Sequence, residues 1–490
     1  MKASAQRGTL IACILGSAVV FVDTTVVNVA LPALRADLGA GLSGQQWTVD
    51  AYLLMLGSLV LLGGSLGDLL GRKRVFLAGL AGFGAASALC ALAPTVDALI
   101  VLRALQGAAG ALLVPSSLAI ITEVFPDPRA RGAAIGSWTA WTSGAIAFGP
   151  PLGGALVDAV SWRAVFAINV PLVGAALWMG RRCVPSFERR PRKLDLRGGL
   201  LCAFGLAGPV FGLIEQPAHG WAGAIVFGPI AAGILLLALF VVLEEHVAEP
   251  MLPLELFARR PFSVANAATV AFYAGLGALT FLVALYVQQV SGYSALEAGL
   301  TLTPVTVMMI FFSRRFGALA ARIGPRPLMG FGPLVAAAGA LLFLRLGERA
   351  DYFAEVLPAS ALFGLGLSAT VAPLTATVLS SVEPARAGIA SGVNNALARV
   401  AGLLAVALVG VVVSTRYTQV LHARAPGAPA SVRTRPLTRP EGVPATLARS
   451  SLAASQSAFR FGIGGAALLL AVGGAVSLAG LKPWHDSLSP

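Results

Sequence analysis

With 490 residues the chain is long enough for about three ordinary soluble domains, but its composition excludes them. Hydrophobic residues make up 57% of it and charged residues 12%, with a mean hydropathy of +0.82, which leaves about half of the charge that a water-facing surface carries. So apolar a chain is not disordered either, and the net charge of +13 has to be placed before it is interpreted.

Crossing about 30 Å of hydrocarbon takes about 20 apolar residues, and fourteen such runs are readable. The first six lie near 9–32, 46–66, 75–93, 98–121, 132–156 and 164–181. Lys2 and Arg7 precede the first run in the manner of a signal peptide, but Asp23 within it and the thirteen runs that follow argue for a retained helix. A basic, proline-containing stretch, Arg181–Arg197, leads to two more runs at 198–214 and 222–243. Six others follow at 262–287, 298–316, 327–345, 355–379, 387–414 and 457–481. Before the last, residues 415–455 are rich in Pro, Ala and Arg and read as a flexible outer loop. The predicted class is an all-α polytopic membrane protein with fourteen transmembrane helices. Its segments are a six-helix bundle over 1–183, a basic inner loop with two inserted helices over 184–261, and a second six-helix bundle over 262–490.

Most of the 35 Lys and Arg residues fall in alternate loops, among them Arg72, Lys73, Arg74, Arg129, Arg131, Arg259, Arg260, Arg322 and Arg326. An excess of Lys and Arg marks the cytoplasmic side, so both termini are expected in the cytoplasm. The positive charge is then a topology signal, and nucleic acid is not expected as a partner. The four cysteines, Cys13, Cys90, Cys183 and Cys202, have no metal-ligand spacing and read as small buried hydrophobes. None of the four histidines lies within an apolar run. No metal site, cofactor or catalytic arrangement is readable, and the absence of a Walker A sequence argues against ATP as the driving force.

An internal repeat is present. Gly64, Leu66, Asp68, Gly71, Arg72 and Lys73 follow the second run; Gly317, Leu319, Ala321, Gly324 and Arg326 follow the tenth with the same glycine and leucine spacing. The first run ends Val22-Asp23-Thr24-Thr25-Val26-Val27-Asn28-Val29-Ala30-Leu31-Pro32. The fourth carries Arg103, Gln106 and Gly107. The fifth carries Gly144, Gly149, Pro150, Gly153 and Gly154, and Trp162-Arg163, Phe166, Ile168-Asn169 and Pro171 enter the sixth.

In their order and placement these motifs resemble the major facilitator superfamily, and within it the fourteen-span EmrB/QacA-type drug:proton antiporters. The loop after the second run is similar to the superfamily's G-x-L-a-D-r-x-G-r-k motif, with Ala321 replacing the acid in the second copy. Arg103 to Gly107 resemble R-x-x-q-G, and Gly149 to Gly154 the exporter motif of the fifth span. The resemblance implies two six-helix bundles plus two inserted helices. It also implies export of lipophilic compounds, cationic ones included, by alternating access. Protons would drive it, without a cofactor, in a monomer of the cell membrane. The alternatives are proton-coupled uptake or exchange of a small metabolite, and a non-transporting membrane receptor.

The residues suit that reading. A charge inside a bilayer is costly unless paired, so each intramembrane ionisable group is a functional candidate. Asp23 lies about 21 Å along the first helix from its inner end, and Asp50 and Arg103 are expected at comparable depth. These three, with Asn28 and Gln106, are the candidate proton-coupling and substrate residues. Asp23 is expected to carry the proton and Asp50 to balance further substrate charge. Gly64, Asp68, Gly71, Arg72, Lys73 and Glu123 form the candidate gating loop, with Glu383 and Arg322 or Arg326 as its counterpart in the second half. Gly149, Pro150, Gly153 and Gly154 are expected to make a rocking surface between halves.

Overall fold

In a bilayer, every backbone N–H and C=O of an apolar run has to be satisfied within the run. Each run is accordingly helical in the computed structural model, which describes residues 3–187, 195–247, 250, 252–383 and 386–481. The basic stretch over 188–194, Lys2 and Lys482 lie outside the described residues. No strand occurs among the described residues. The helices of the amino-terminal part are α1 (Ala3–Leu38), α2 (Leu42–Leu70), α3 (Arg72–Ala91), α4 (Val96–Val124), α5 (Pro128–Ala159), α6 (Ala164–Ala167), α7 (Asn169–Cys183), α8 (Leu196–His219) and α9 (Ala224–His246). Those that follow are α10 (Arg260–Gln289), α11 (Ala295–Leu300), α12 (Thr303–Ile323), α13 (Pro325–Leu342), α14 (Leu357–Ser380), α15 (Ala387–Arg424), α16 (Ala430–Arg433) and α17 (Ala445–Gly480).

Among the described residues, twelve helical spans are long and apolar enough to cross a membrane, or thirteen if α2, bent by 53°, counts as one. The run expected at 132–156 is the 32-residue helix α5. It is outside that count because its glycines, tryptophans, hydroxyl residues and paired prolines dilute its hydropathy.

The chain divides into two compact units, Met1–Pro209 with Pro229–Met251, and Val210–Gly228 with Leu252–Pro490. The segment 184–261 is therefore shared between them. In the first unit α2 and α4 meet backbone to backbone: a Cβ on Gly63 would stand 2.3 Å from the Ala111 carbonyl oxygen, and one on Gly107 2.3 Å from that of Tyr52. In the second, Gly339 and Gly366 let α13 and α14 approach as closely: a Cβ on either would stand 2.3 Å from a backbone nitrogen of the other helix. Small residues of this kind permit helix association where lipid removes the hydrophobic drive. The repeat also has a backbone reason, since Gly71 and Gly324 end α2 and α12 at φ of 98° and 82°, a region that favours glycine.

Residues 415–455 are not a flexible loop. α15 continues to Arg424, α16 follows, and α17 begins at Ala445. The fully buried Tyr417 donates from its hydroxyl to the Val432 carbonyl at 2.9 Å and lies 2.9 Å from Ser451 Oγ. Leu437 is buried, and Arg439 donates to the carbonyls of Val290 and Glu348, both at 2.6 Å. A few isolated anchors hold the segment as a cap on the second unit, which a reading of composition and periodicity does not detect.

Candidate functional site

The site lies in the first unit, where α1 supplies Asp23, α4 Arg103 and Gln106, α3 Ser87, and α7 Asn169. Arg103 and Gln106, three residues apart, share a face of α4, and Gly107 beside them brings that face onto α2. Tyr52 of α2 donates its hydroxyl to the Val20 carbonyl at 3.0 Å and so ties α2 to α1. Its ring lies 4.2 Å beneath the Arg103 guanidinium, with Phe166 at 5.6 Å.

Asp23 and Arg103 are both buried and form a direct ion pair, Arg103 Nη1 to Asp23 Oδ2. The other carboxylate oxygen, Oδ1, accepts from Gln106 Nε2 at 2.9 Å and from Asn169 Nδ2 at 3.0 Å. Arg103 also donates to Gln106 Oε1 at 2.7 Å and, through Nε, to the Thr48 carbonyl at 2.9 Å. Gln106 donates in addition to Ser87 Oγ at 2.8 Å. A buried pair costs several kcal/mol per ion in desolvation, offset only when the remaining donors and acceptors are satisfied. Here both oxygens of Asp23 are engaged.

Asp50 stands apart from this network. It is fully buried on α2, and neither carboxylate oxygen has a hydrogen-bond partner. The sequence placed Asp50 at the same depth as the pair, but side chains two residues apart on a helix point about 200° apart. Tyr52 faces Arg103, so Asp50 faces away from it. Asn28, half-buried further along α1, takes no part in the network either.

The loop motif assembles at the other end of the same helices. Arg72 donates to Asp68 Oδ1 from Nη2 at 2.9 Å and from Nε at 3.1 Å, and its Nη1 reaches Glu123 Oε2 at 2.7 Å and the Ala119 carbonyl at 3.0 Å. One guanidinium thus clamps the ends of α2, α3 and α4. Lys73 Nζ donates to the Arg181 carbonyl at 3.1 Å, and a Cβ on Gly64 would meet Pro115 of α4 at an ordinary 3.6 Å. The expected counterpart does not form: Glu383 pairs with Arg259 at 3.4 Å, while Arg326 donates to the Leu478 carbonyl at 3.0 Å.

Gly149 and Gly153 pack α5 against α1 inside the first unit, with Thr25, Val26 and Val29 where their Cβ atoms would stand. This contact lies within one unit, and Pro150 and the buried Gly154 flank it. Gly144 has open space around it.

Sequence reasoning missed the role of the Trp162–Pro171 string. Trp162 Nε1 donates to Asp37 Oδ2 at 2.9 Å, and Arg163 pairs with the same oxygen, closing the far ends of α1 and α6. Phe166 and Asn169 complete the Asp23–Arg103 network. The string itself was the available signal. Among the described residues no three His, Cys, Asp or Glu side chains converge as metal ligands.

Residues 13–406 match the Major Facilitator Superfamily. The chain is similar to the tetracenomycin C resistance and export protein of Streptomyces glaucescens, 36% identical over 84% of this chain and 78% of that one. It is also similar to a puromycin resistance protein of Streptomyces alboniger, 36% identical over 82% and 81%. A multidrug resistance protein, Stp, of Mycobacterium tuberculosis is 32% identical over 84% and 76%. In fold, it resembles a crystal structure of a bacterial homologue of the human lysosomal transporter Spinster, with a TM-score of 0.69 at 16% identity and 98% coverage of both chains.

Proposed function

The chain belongs to the major facilitator superfamily, and from that premise we propose that it exports lipophilic compounds, cationic ones included, in exchange for protons. Its relatives named for antibiotic resistance and export support a drug-efflux transporter rather than an enzyme. The observation that carries the proton-coupled reading is the buried Asp23–Arg103–Gln106–Asn169 network beside a second buried carboxylate, Asp50. Ionisable groups this deep in a membrane-spanning unit are costly, and a transporter has a use for them.

The fourteen-span EmrB/QacA type fits if α5 crosses the membrane as the fifth span. Lys and Arg in alternate loops support cytoplasmic termini in the cell membrane. The Asp68–Arg72–Glu123 cluster then lies on the inner side, where it favours the conformer in which α2, α3 and α4 are clamped. For a neutral substrate exchanged for one proton, a membrane potential supplies ~2.3 kcal/mol per 100 mV, equivalent to about a 50-fold gradient; for a monovalent cation the pH gradient alone drives the exchange.

Everted membrane vesicles from cells producing the protein test the reading with a panel of lipophilic cations and neutral antibiotics. Accumulation in the vesicles that a protonophore abolishes is the expected result. Accumulation that persists with the protonophore present removes proton coupling, and uptake in the opposite sense removes export.

A further inference from the structure

The two buried carboxylates of the first unit differ in one respect that decides what each can do. Asp23 receives three side-chain donors, from Arg103, Gln106 and Asn169. Asp50 receives none. Taking a proton onto Asp23 means giving up its pair with Arg103 and leaving a buried guanidinium without its counter-ion. Holding Asp50 ionised means keeping a bare carboxylate out of water without a partner, which is strongly unfavourable.

The helices packed against α2 in this unit offer Asp50 no substitute; α8 meets α2 at Leu62, about 18 Å along the helix from Asp50, where its Arg197 is exposed. On α4, Arg103 is committed to Asp23 and to the Thr48 carbonyl on the opposite side of α2. On α3, the Cys90 thiol is directed at Gln106. On α1, Asp37 is exposed and taken by Arg163, and Arg35 is half-buried near that end. Asp97 at the start of α4 is exposed.

We propose that Asp50, not Asp23, is the group that loads and releases the transported proton, and that Asp23 remains the ionised counter-ion of Arg103 throughout the cycle. The inference rests on the proton-coupled export reading above. In the conformer described here Asp50 is the neutral acid. When a lipophilic cation arrives near it, the O–H bond breaks, the proton passes to water on the inner side, and the carboxylate balances the substrate's charge. On the outer side water returns a proton to the carboxylate and the cation leaves. One positive charge moves each way, so the exchange is electroneutral.

Infrared spectroscopy of the full-length protein in lipid tests the assignment without a substrate. The carbonyl stretch of a protonated carboxylic acid is expected in the wild type and lost in Asp50→Asn, while Asp50→Glu keeps a band at a shifted frequency. A band that survives Asp50→Asn unchanged overturns the proposal. In proteoliposomes with tetraphenylphosphonium as the probe, one proton per cation supports ~10-fold accumulation under a gradient of about one pH unit. Asp50→Asn is expected to abolish accumulation and Asp50→Glu to keep it; retained accumulation by Asp50→Asn overturns the proposal. A wild type that ignores the gradient defeats the export reading instead, and the infrared comparison still decides the state of Asp50.

Discussion

Replacing Gly153 of α5 by alanine puts one methyl group against α1, and the structure says what it meets. The added Cβ would lie 2.4 Å from Val26 Cγ2 and 2.9 Å from both the Val26 carbonyl oxygen and Val29 Cγ2. A side-chain methyl can rotate away, but a backbone oxygen cannot, so α1 and α5 have to separate. Overpacking of this kind costs about 1–3 kcal/mol, and three contacts including a backbone atom put it in the upper part of that range. Alanine's helix propensity returns up to about 1 kcal/mol, for a net loss of about 1–2 kcal/mol. Gly144, nine residues earlier in the same helix, has nothing within 4 Å, so Gly144→Ala collects the propensity gain alone. Melting of purified protein followed by size-exclusion fluorescence, with efflux measured in cells, compares the two. Gly153→Ala is expected to melt below the wild type and export poorly; Gly144→Ala is expected to melt at or above it with full export. A Gly153→Ala protein as stable as the wild type, or a Gly144→Ala protein equally damaged, would refute the claim that this glycine motif serves α1–α5 packing.

Three further outcomes are expected. Asp23→Asn leaves the buried Arg103 without its counter-ion, a loss of about 3–5 kcal/mol, so it should lower the yield of monodisperse protein far more than Asp50→Asn does. Adding Arg103→Gln to Asp23→Asn should recover part of that loss, and no recovery would show that the pair is not the cause. Asp68→Asn removes a partly exposed pair, with side chains 22% and 16% exposed, worth roughly 1 kcal/mol, or about a fivefold change in a two-state population. Cysteine accessibility on the two faces of the membrane should shift accordingly, and an unchanged pattern would leave Asp68 without a gating role. Arg439→Ala removes the hydrogen bonds to the Val290 and Glu348 carbonyls, so limited proteolysis within residues 425–444 should accelerate while the rest of the chain stays resistant; equal cleavage of both proteins would show that the cap does not depend on this anchor.

The helical, membrane-spanning class, the repeat around Gly71 and Gly324 and the residues of the Asp23–Arg103 pair were legible from the sequence alone. Hydropathy over about 20 residues is a local property, and a charge within an apolar run identifies itself without knowledge of its neighbours. The partners of those charges were not legible in the same way. Arg103 lies 80 residues from Asp23 and Asn169 lies 146, and only the packing of α1, α4 and α7 brings them within hydrogen-bond distance. Helical phase likewise turned Asp50 away from Arg103 although depth along the chain made them look alike. The packing of Gly149 and Gly153 on α1, the pairing of Glu383 with Arg259, and the ordered cap at 415–455 were also decided in three dimensions. Each depends on which helix face meets which, and hydropathy, read one segment at a time, carries no record of that.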